Sequence, residues 1–490
     1  MSEKRRDTRT GRPGRFDLAL STAGTIASGV VRLLYNVLLG NLRGATFLGN
    51  ASSALSVAMF AAIVQPQAVA TAATTFVPRA AGASPRHQDC DAAPAVAWYL
   101  ARYLVSAAAL VGIGAGATAY FVLATGPTAA VMTALVTIGY SAYIFARALQ
   151  FATFRAVRAA RADLVAGVVA LALLVAFLTL HLDSLILLPL ALGYGVAASS
   201  IWPRRDTRIS PGLRAELRRF IAIGSIGALA TGGFLQLSMI TARVIGTSEQ
   251  AGQYAAALSL ATPLSMLSTA ISMVVVPAMG AAVGGSDDAR FRHLVDEAVR
   301  GVSAVSLAGF GLVAGLSSII VPLLYRDGFE DAAPVLAILA VAMLTMTATM
   351  PLMNALIVRS PRGVRTTTVI SVIATVLGVV VWAAFGPRYG ITAVAFGVLA
   401  GNVTALASMG VLVARAERFD WRGLALRHGV VLVATAALAI HGAATNEGII
   451  LTLGMTLAVL ALWSVLVAMP DRAAILGLLG LRARGSSHAA

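Results

Sequence analysis

The sequence predicts an all-α, polytopic membrane protein with fourteen transmembrane helices. Three observations carry that expectation. Of the 490 residues, 58% are hydrophobic and only 12% charged, about half the charged share of soluble domains, and mean hydropathy is +0.84. Apolar segments long enough to cross a hydrocarbon core of about 30 Å recur from end to end. The basic residues then alternate between connecting segments, as expected when arginines mark the inside loops.

Residues 1–15 are polar and basic and read as a cytoplasmic tail attracted to anionic lipid. The apolar run after them is too long for a signal-peptide core and lacks a clean cleavage site, so it reads as a retained span. Spans are expected near 17–40, 46–71, 100–124, 127–148, 163–181, 184–202 and 219–245. The series continues with 252–278, 301–324, 333–357, 367–386, 391–414, 428–445 and 448–469. The second and eighth are expected to continue past the headgroups.

With the N-terminus inside, 31 of the 37 basic residues fall on inside segments, from Lys4 and Arg5 to Arg482 and Arg484. Arg43, Arg243, Arg326 and Arg388 fall at or near the outside; Arg32 and Arg102 lie within spans. One missed or invented helix would invert part of this pattern, so both termini are placed in the cytoplasm of a multi-pass cytoplasmic-membrane protein. The net charge of +16 is therefore a topology signal and requires no nucleic acid. No loop has room for a soluble catalytic domain, so an enzyme is not expected. The single cysteine, Cys90, can form no internal disulfide, and nothing near it has metal-ligand spacing. No metal or other cofactor is expected.

An internal repeat divides the chain. The first two spans join through LLGNLRGATFLGNASSALS, ending at Ser56, and the seventh and eighth through RVIGTSEQAGQYAAALS, ending at Ser259. GNASSALS at 49–56 aligns with GQYAAALS at 252–259, and each helix ends in Val-Pro followed by small residues, at 77–82 and 276–282. Each copy opens a six-helix unit from the inside. Two parallel repeats, related by a pseudo-twofold along the membrane normal, place a substrate site between them. The expected organisation is a six-helix bundle at 16–203, a second at 217–414, two further helices at 426–470 and a cytoplasmic C-terminal tail at 471–490.

On these residues the chain resembles the multidrug/oligosaccharidyl-lipid/polysaccharide (MOP) exporter superfamily. The plan of six, six and two spans carries the likeness, with its Gly-punctuated turn and long helix ending in Pro and small residues. The short loops and the run Gly252, Tyr254, Ala255, Ala256 look most like the polysaccharide-flippase branch. That resemblance implies a flippase moving a polyprenyl-(pyro)phosphate-linked oligosaccharide or related anionic glycolipid from inner to outer leaflet by alternating access. It also implies membrane lipids and polysaccharide-assembly enzymes as partners. Two rivals stand beside it: an ion-coupled small-molecule exporter of the same superfamily, and a non-transporting membrane scaffold.

Candidate substrate-binding residues follow from polar groups at membrane depth. Arg32 lies eight residues before Gly40, about 12 Å below the outer end at 1.5 Å per residue. A guanidinium there costs about 2.5–3.5 kcal/mol on insertion scales, a cost that makes sense where it meets a phosphate. Asn36 is an amide one turn on. Gln65 and Gln67 flank Pro66, which interrupts the second span and frees a backbone carbonyl. Arg102 and Arg243 are candidate headgroup and exit-side contacts. Pro66, Pro263 and Pro351 are candidate kinks or hinges. No carboxylate is expected at a midplane position, since Asp17, Asp183, Glu249 and Glu447 fall at helix ends or in loops. A cavity with arginine and no carboxylate suits an anionic cargo. A nucleotide-binding G-x-x-x-x-G-K-[ST] loop is absent, so ATP is not the direct driver.

Overall fold

The computed structural model describes residues 15–82, 92–153, 155–203, 209–444 and 449–478. Almost all of the basic tail, Cys90, Glu447 and the end of the C-terminal tail lie outside the described residues. Within them the chain is helical throughout, with no strand. The helices are α1 (Arg15–Arg43), α2 (Ala45–Val64), α3 (Pro66–Gly82), α4 (Ala92–Phe121), α5 (Pro127–Ala152), α6 (Ala156–Thr179), α7 (Leu188–Ser200) and α8 (Pro211–Ile245). They continue with α9 (Ser248–Gly284), α10 (Asp288–Gly315), α11 (Ser317–Leu324), α12 (Ala332–Arg359), α13 (Pro361–Glu417), α14 (Arg422–Ala444), α15 (Ile449–Trp463) and α16 (Arg472–Leu478).

Local sequence explains the boundaries. Pro66 opens α3 immediately after a one-residue break at Gln65, because proline fits the first position of a helix and not its interior. Thr247 caps α9 with a reciprocal box: its hydroxyl accepts from the Gln250 N–H, and the Gln250 side chain accepts from the Thr247 N–H. Asp287 caps α10 through the Arg290 N–H, and Ser360 caps α13 through the Gly363 N–H. The 57-residue α13 is two helices meeting at Gly390, whose φ of 54° and ψ of −133° lie where only glycine rests without strain. That break coincides with the gap expected between 386 and 391.

Among the described residues, nine helices are long and apolar enough to cross a membrane. The count is ten if the pair Pro211–Leu229 and Gly232–Ile245, bent by 52°, is one span. Each of the expected fourteen segments overlaps a helix among the described residues, but several are not single long apolar helices. Segment 184–202 is a short 3-10 turn at Asp183–Leu185 followed by the 13-residue α7. Segment 301–324 is split between α10 and α11, and the eleventh and twelfth segments share α13.

The chain forms two compact units. One comprises 1–31, 61–116 and 131–226; the other comprises 32–60, 117–130 and 227–490. In the first unit, Ala68, Ala72 and Phe76 of α3 pack on Val96, Leu100 and Leu104 of α4, with Phe145 of α5 and Leu217 and Ile221 of α8. In the second, Met279 of α9, Phe291 and Val295 of α10, Leu352 of α12 and Met409 of α13 form a core that reaches Leu424 of α14.

The second unit also holds both repeat-related turns, and this explains why the end of α1 and most of α2 belong to it. A Cβ on Gly49 would lie 1.9 Å from the Ser248 carbonyl oxygen, and one on Gly252 would lie 1.8 Å from that of Ala45. Each contact pairs residue i of one helix with residue i+4 of the other, so the aligned glycines meet reciprocally. The backbones approach closer than any side chain permits. Asn41, at the end of α1, fixes the same region by donating to the Leu324 carbonyl at 2.8 Å and accepting from the Arg326 N–H at 2.9 Å.

Candidate functional site

Arg32 lies in the interior of α1, half-buried. Its Nη2 donates to Met59 Sδ of α2 at 3.1 Å. A thioether is a weak acceptor, and among the described residues no carboxylate, hydroxyl or carbonyl accepts from this guanidinium. Asn36 sits four residues along the same face, half-buried and without a hydrogen bond among the described residues. Together they leave a cation and an amide on one stripe of α1 with spare donor capacity.

The other candidates have different surroundings. Arg243, near the end of α8, is anchored: Nε donates to Asn50 Oδ1 at 3.3 Å and Nη2 to the Leu123 carbonyl at 3.4 Å. Arg32, Asn36 and Arg243 all belong to the second unit, whereas Gln65, Gln67 and Arg102 belong to the first. Gln65 Nε2 donates to the Tyr103 hydroxyl at 2.8 Å. Gln67 and Arg102 are exposed, and Pro66 is buried at the head of α3. Pro263 and Pro351 lie inside α9 and α12, and both helices run on through them.

One buried carboxylate has no counterpart among the candidates read from the sequence. Asp163, eight residues into α6, is a carboxylate buried inside the helical body, its side chain 1% exposed. The Tyr143 hydroxyl donates to it, and Arg147 Nε reaches both oxygens, at 3.2 and 3.0 Å. Tyr194 stacks against Tyr143 at 5.1 Å. Asp163 starts the expected fifth span, and its partners lie 20 and 16 positions back on another helix, so no spacing in the sequence announces the pair. Its charge is matched, and it makes a hydrogen-bonded ion pair rather than a vacant cation site.

A second group carries its signal in the sequence as spacing. Thr71, Thr74 and Thr75, with Gln67, form the exposed face of α3, opposite Ala68, Ala72 and Phe76. The spacing of three and four is that of one helix face. Each hydroxyl donates to a carbonyl of its own helix: Thr71 to Gln67 at 3.0 Å, Thr74 and Thr75 to Thr71 at 2.8 and 3.0 Å. With their protons so used, these hydroxyls face outward as acceptors. Asn402 and Asn354 serve packing: the first donates to the Ala342 carbonyl at 2.9 Å, the second to the Ser272 hydroxyl at 3.0 Å.

Residues 126–334 match the family model for polysaccharide biosynthesis proteins. No curated protein matches the sequence. The fold is similar to that of the lipid II flippase MurJ in an inward closed conformation, at 12% identity and a TM-score of 0.70, over 93% of this chain and 100% of that one. It is also similar to an inward-facing multidrug resistance MATE family transporter of the MOP superfamily, at 15% identity and 0.61, over 84% and 96%. A Vibrio cholerae MATE transporter aligns at 14% identity and 0.55, over 83% and 95%.

Proposed function

For a chain with the fold of the MOP superfamily, we propose a flippase that carries a polyprenyl-(pyro)phosphate-linked oligosaccharide, or a related anionic glycolipid, from the inner to the outer leaflet of the cytoplasmic membrane. The observation that carries this reading is Arg32: a guanidinium at membrane depth whose hydrogen-bond acceptor is a thioether. A phosphate would complete its coordination with two parallel charge-assisted bonds. Asn36, four residues on, would add an amide to the same headgroup. The lipid tail would stay in the bilayer while the glycan crosses through a polar path. The exposed acceptor face of α3 suits sugar hydroxyls, which are donors.

This reading keeps the fourteen spans, both termini inside, and two six-helix bundles that alternate access about the site, with Pro66, Pro263 and Pro351 as hinges. The match to the polysaccharide biosynthesis family model supports the glycan. Membrane lipids and polysaccharide-assembly enzymes are the partners the reading implies.

The exporter reading draws on the MATE-like fold and on Asp163, since cation-coupled export needs a carboxylate at membrane depth. Asp163 is already neutralised by Arg147 and bonded by Tyr143, so an incoming cation would have to displace a guanidinium. The anionic cargo is therefore favoured. A direct test is uptake of a fluorescent polyprenyl-pyrophosphate glycan across proteoliposome leaflets, wild type beside Arg32→Gln. Flipping by the wild type and its loss in the variant is the expected result. Transport of a small cation with no glycan movement would replace the flippase with the exporter.

A further inference from the structure

Away from Arg32, the two arms of α13 flank a largely apolar cavity of about 350 Å³ beside their junction at Gly390. That size is within the range of small-ligand pockets. Its walls are two ridges of side chains spaced by four: Val381, Phe385 and Tyr389 on the first arm, Thr392, Phe396 and Ala400 on the second. A tight seam holds the arms together. Trp382 Nε1 donates to the Val394 carbonyl at 2.9 Å, and Cβ atoms on Gly378 and Gly401 would lie 2.8 and 2.7 Å from the carbonyl oxygens of Gly397 and Ala374. Phe385, Tyr389 and Phe396 are instead half-exposed, so the groove is open on the face those rings occupy.

Length and charge point to what fills it. The ridges run nine residues back from Gly390 to Val381 and ten forward to Ala400, about 15 Å at 1.5 Å per residue. That is the depth of one leaflet of a hydrocarbon core of about 30 Å. Arg388 stands at the mouth, exposed, its guanidinium 5.4 Å from the centroid of the Tyr389 ring. No lining residue is acidic. Among the described residues the Arg388 guanidinium makes no hydrogen bond or ion pair, and Glu249, the neighbour of the Gln250 that approaches Gly390, does not pair with it. An apolar channel one leaflet deep with a cation at its mouth matches a phospholipid, tail below and phosphate above.

We propose that this groove holds one acyl chain of an anionic phospholipid of the outer leaflet, with the lipid phosphate on Arg388. Phe385 and Phe396 would flank the upper part of the chain, Val381 and Ala400 its lower end, and Tyr389 would meet the glycerol at headgroup level, where tyrosine settles. The guanidinium offers a phosphate two parallel charge-assisted bonds. The choice of leaflet rests on the topology with both termini inside, and the binding does not. The site is separate from the proposed flipping site and does not depend on what the protein transports.

The test uses the full chain in phosphatidylcholine liposomes doped with phosphatidylglycerol or phosphatidylcholine carrying a photoactivatable diazirine in the tail, with labelled residues mapped by mass spectrometry. In the wild type the phosphatidylglycerol probe should label 381–400 about tenfold more than the phosphatidylcholine probe, the size of one charge-assisted hydrogen bond. Arg388→Gln should bring the two probes to equality, and Arg388→Lys should keep most of the preference. Ala400→Phe, which fills the groove, should reduce labelling by both. The Arg388 side chain has no hydrogen bond to lose among the described residues, so Arg388→Gln should unfold at the wild-type temperature, which separates lost binding from lost folding. Equal labelling of 381–400 by both probes in the wild type, or a preference that survives Arg388→Gln, would overturn the proposal. So would labelling of 381–400 no stronger than that of the exposed apolar face of α6 at Leu164, Val168 and Val175, which would make the groove ordinary lipid-facing surface.

Discussion

At the α8–α9 turn, Arg243 is committed to the fold through Asn50 and the Leu123 carbonyl, whereas Arg32, in the helix that leads into the α1–α2 turn, has only the sulfur of Met59 among the described residues. The two turns carry matching sequence runs and meet through the same device, Gly49 and Gly252 each seated on the other helix's backbone. The two glycines sit alike at the crossing, and the two arginines differ in what accepts from them. A repeat fixes where helices cross. What each copy places near that crossing is free to diverge, and the divergent, unsatisfied group is where a ligand is to be sought.

Arg147 extends the comparison to a third arginine, paired with a buried carboxylate, and removing that carboxylate should have the largest effect. Asp163→Ala would remove the buried carboxylate that Arg147 and Tyr143 reach and should cost about 3–5 kcal/mol, seen as a lowered thermal unfolding midpoint in detergent. The double change Asp163→Leu with Arg147→Met should recover most of the loss; failure to recover would mean that the Tyr143 bond, and not the charge pair, carries the stability. Next comes the shared seam. Gly252→Ala forces apart backbones that already touch and should cost about 1–3 kcal/mol. Gly49→Ala should match it if the crossing is as reciprocal as its distances.

Smaller effects separate Arg243 from Arg32. Arg243→Gln should lower stability by about 1–2 kcal/mol through its lost bonds to Asn50 and Leu123. Arg32→Gln should change stability by less than about 0.5 kcal/mol, because no strong bond is lost and a costly charge leaves the membrane. Equal destabilisation by the two, measured in the same detergent, would erase the distinction and make Arg32 structural.

Much of this architecture was legible because it is written in local chemistry. The break at Pro66 follows from a missing N–H, the break at Gly390 from a conformation closed to other residues, and the seam from two aligned glycines in matching runs. A fold similar to that of MurJ and the MATE transporters was readable from the same punctuation. Tertiary pairing was not. Asp163 looks like the polar start of a span until the fold brings Tyr143 and Arg147 to it. Arg243 and Arg32 look alike as lone arginines, since Asn50 lies 193 positions from one of them. The span count is obscured where a crossing is built from short pieces, as at α7 and α11, or where two crossings share one helix, as in α13. The hydroxyl face of α3 was visible as spacing, but its acceptor character emerged only when each proton was traced to a carbonyl.

The most direct test of the central claim is native mass spectrometry of lipids retained by the purified full chain, wild type beside Arg32→Gln. An uncompensated cation awaiting a phosphate predicts a polyprenyl-pyrophosphate glycan on the wild type and its loss from a variant of unchanged stability. Equal retention of that glycan by both proteins would contradict it.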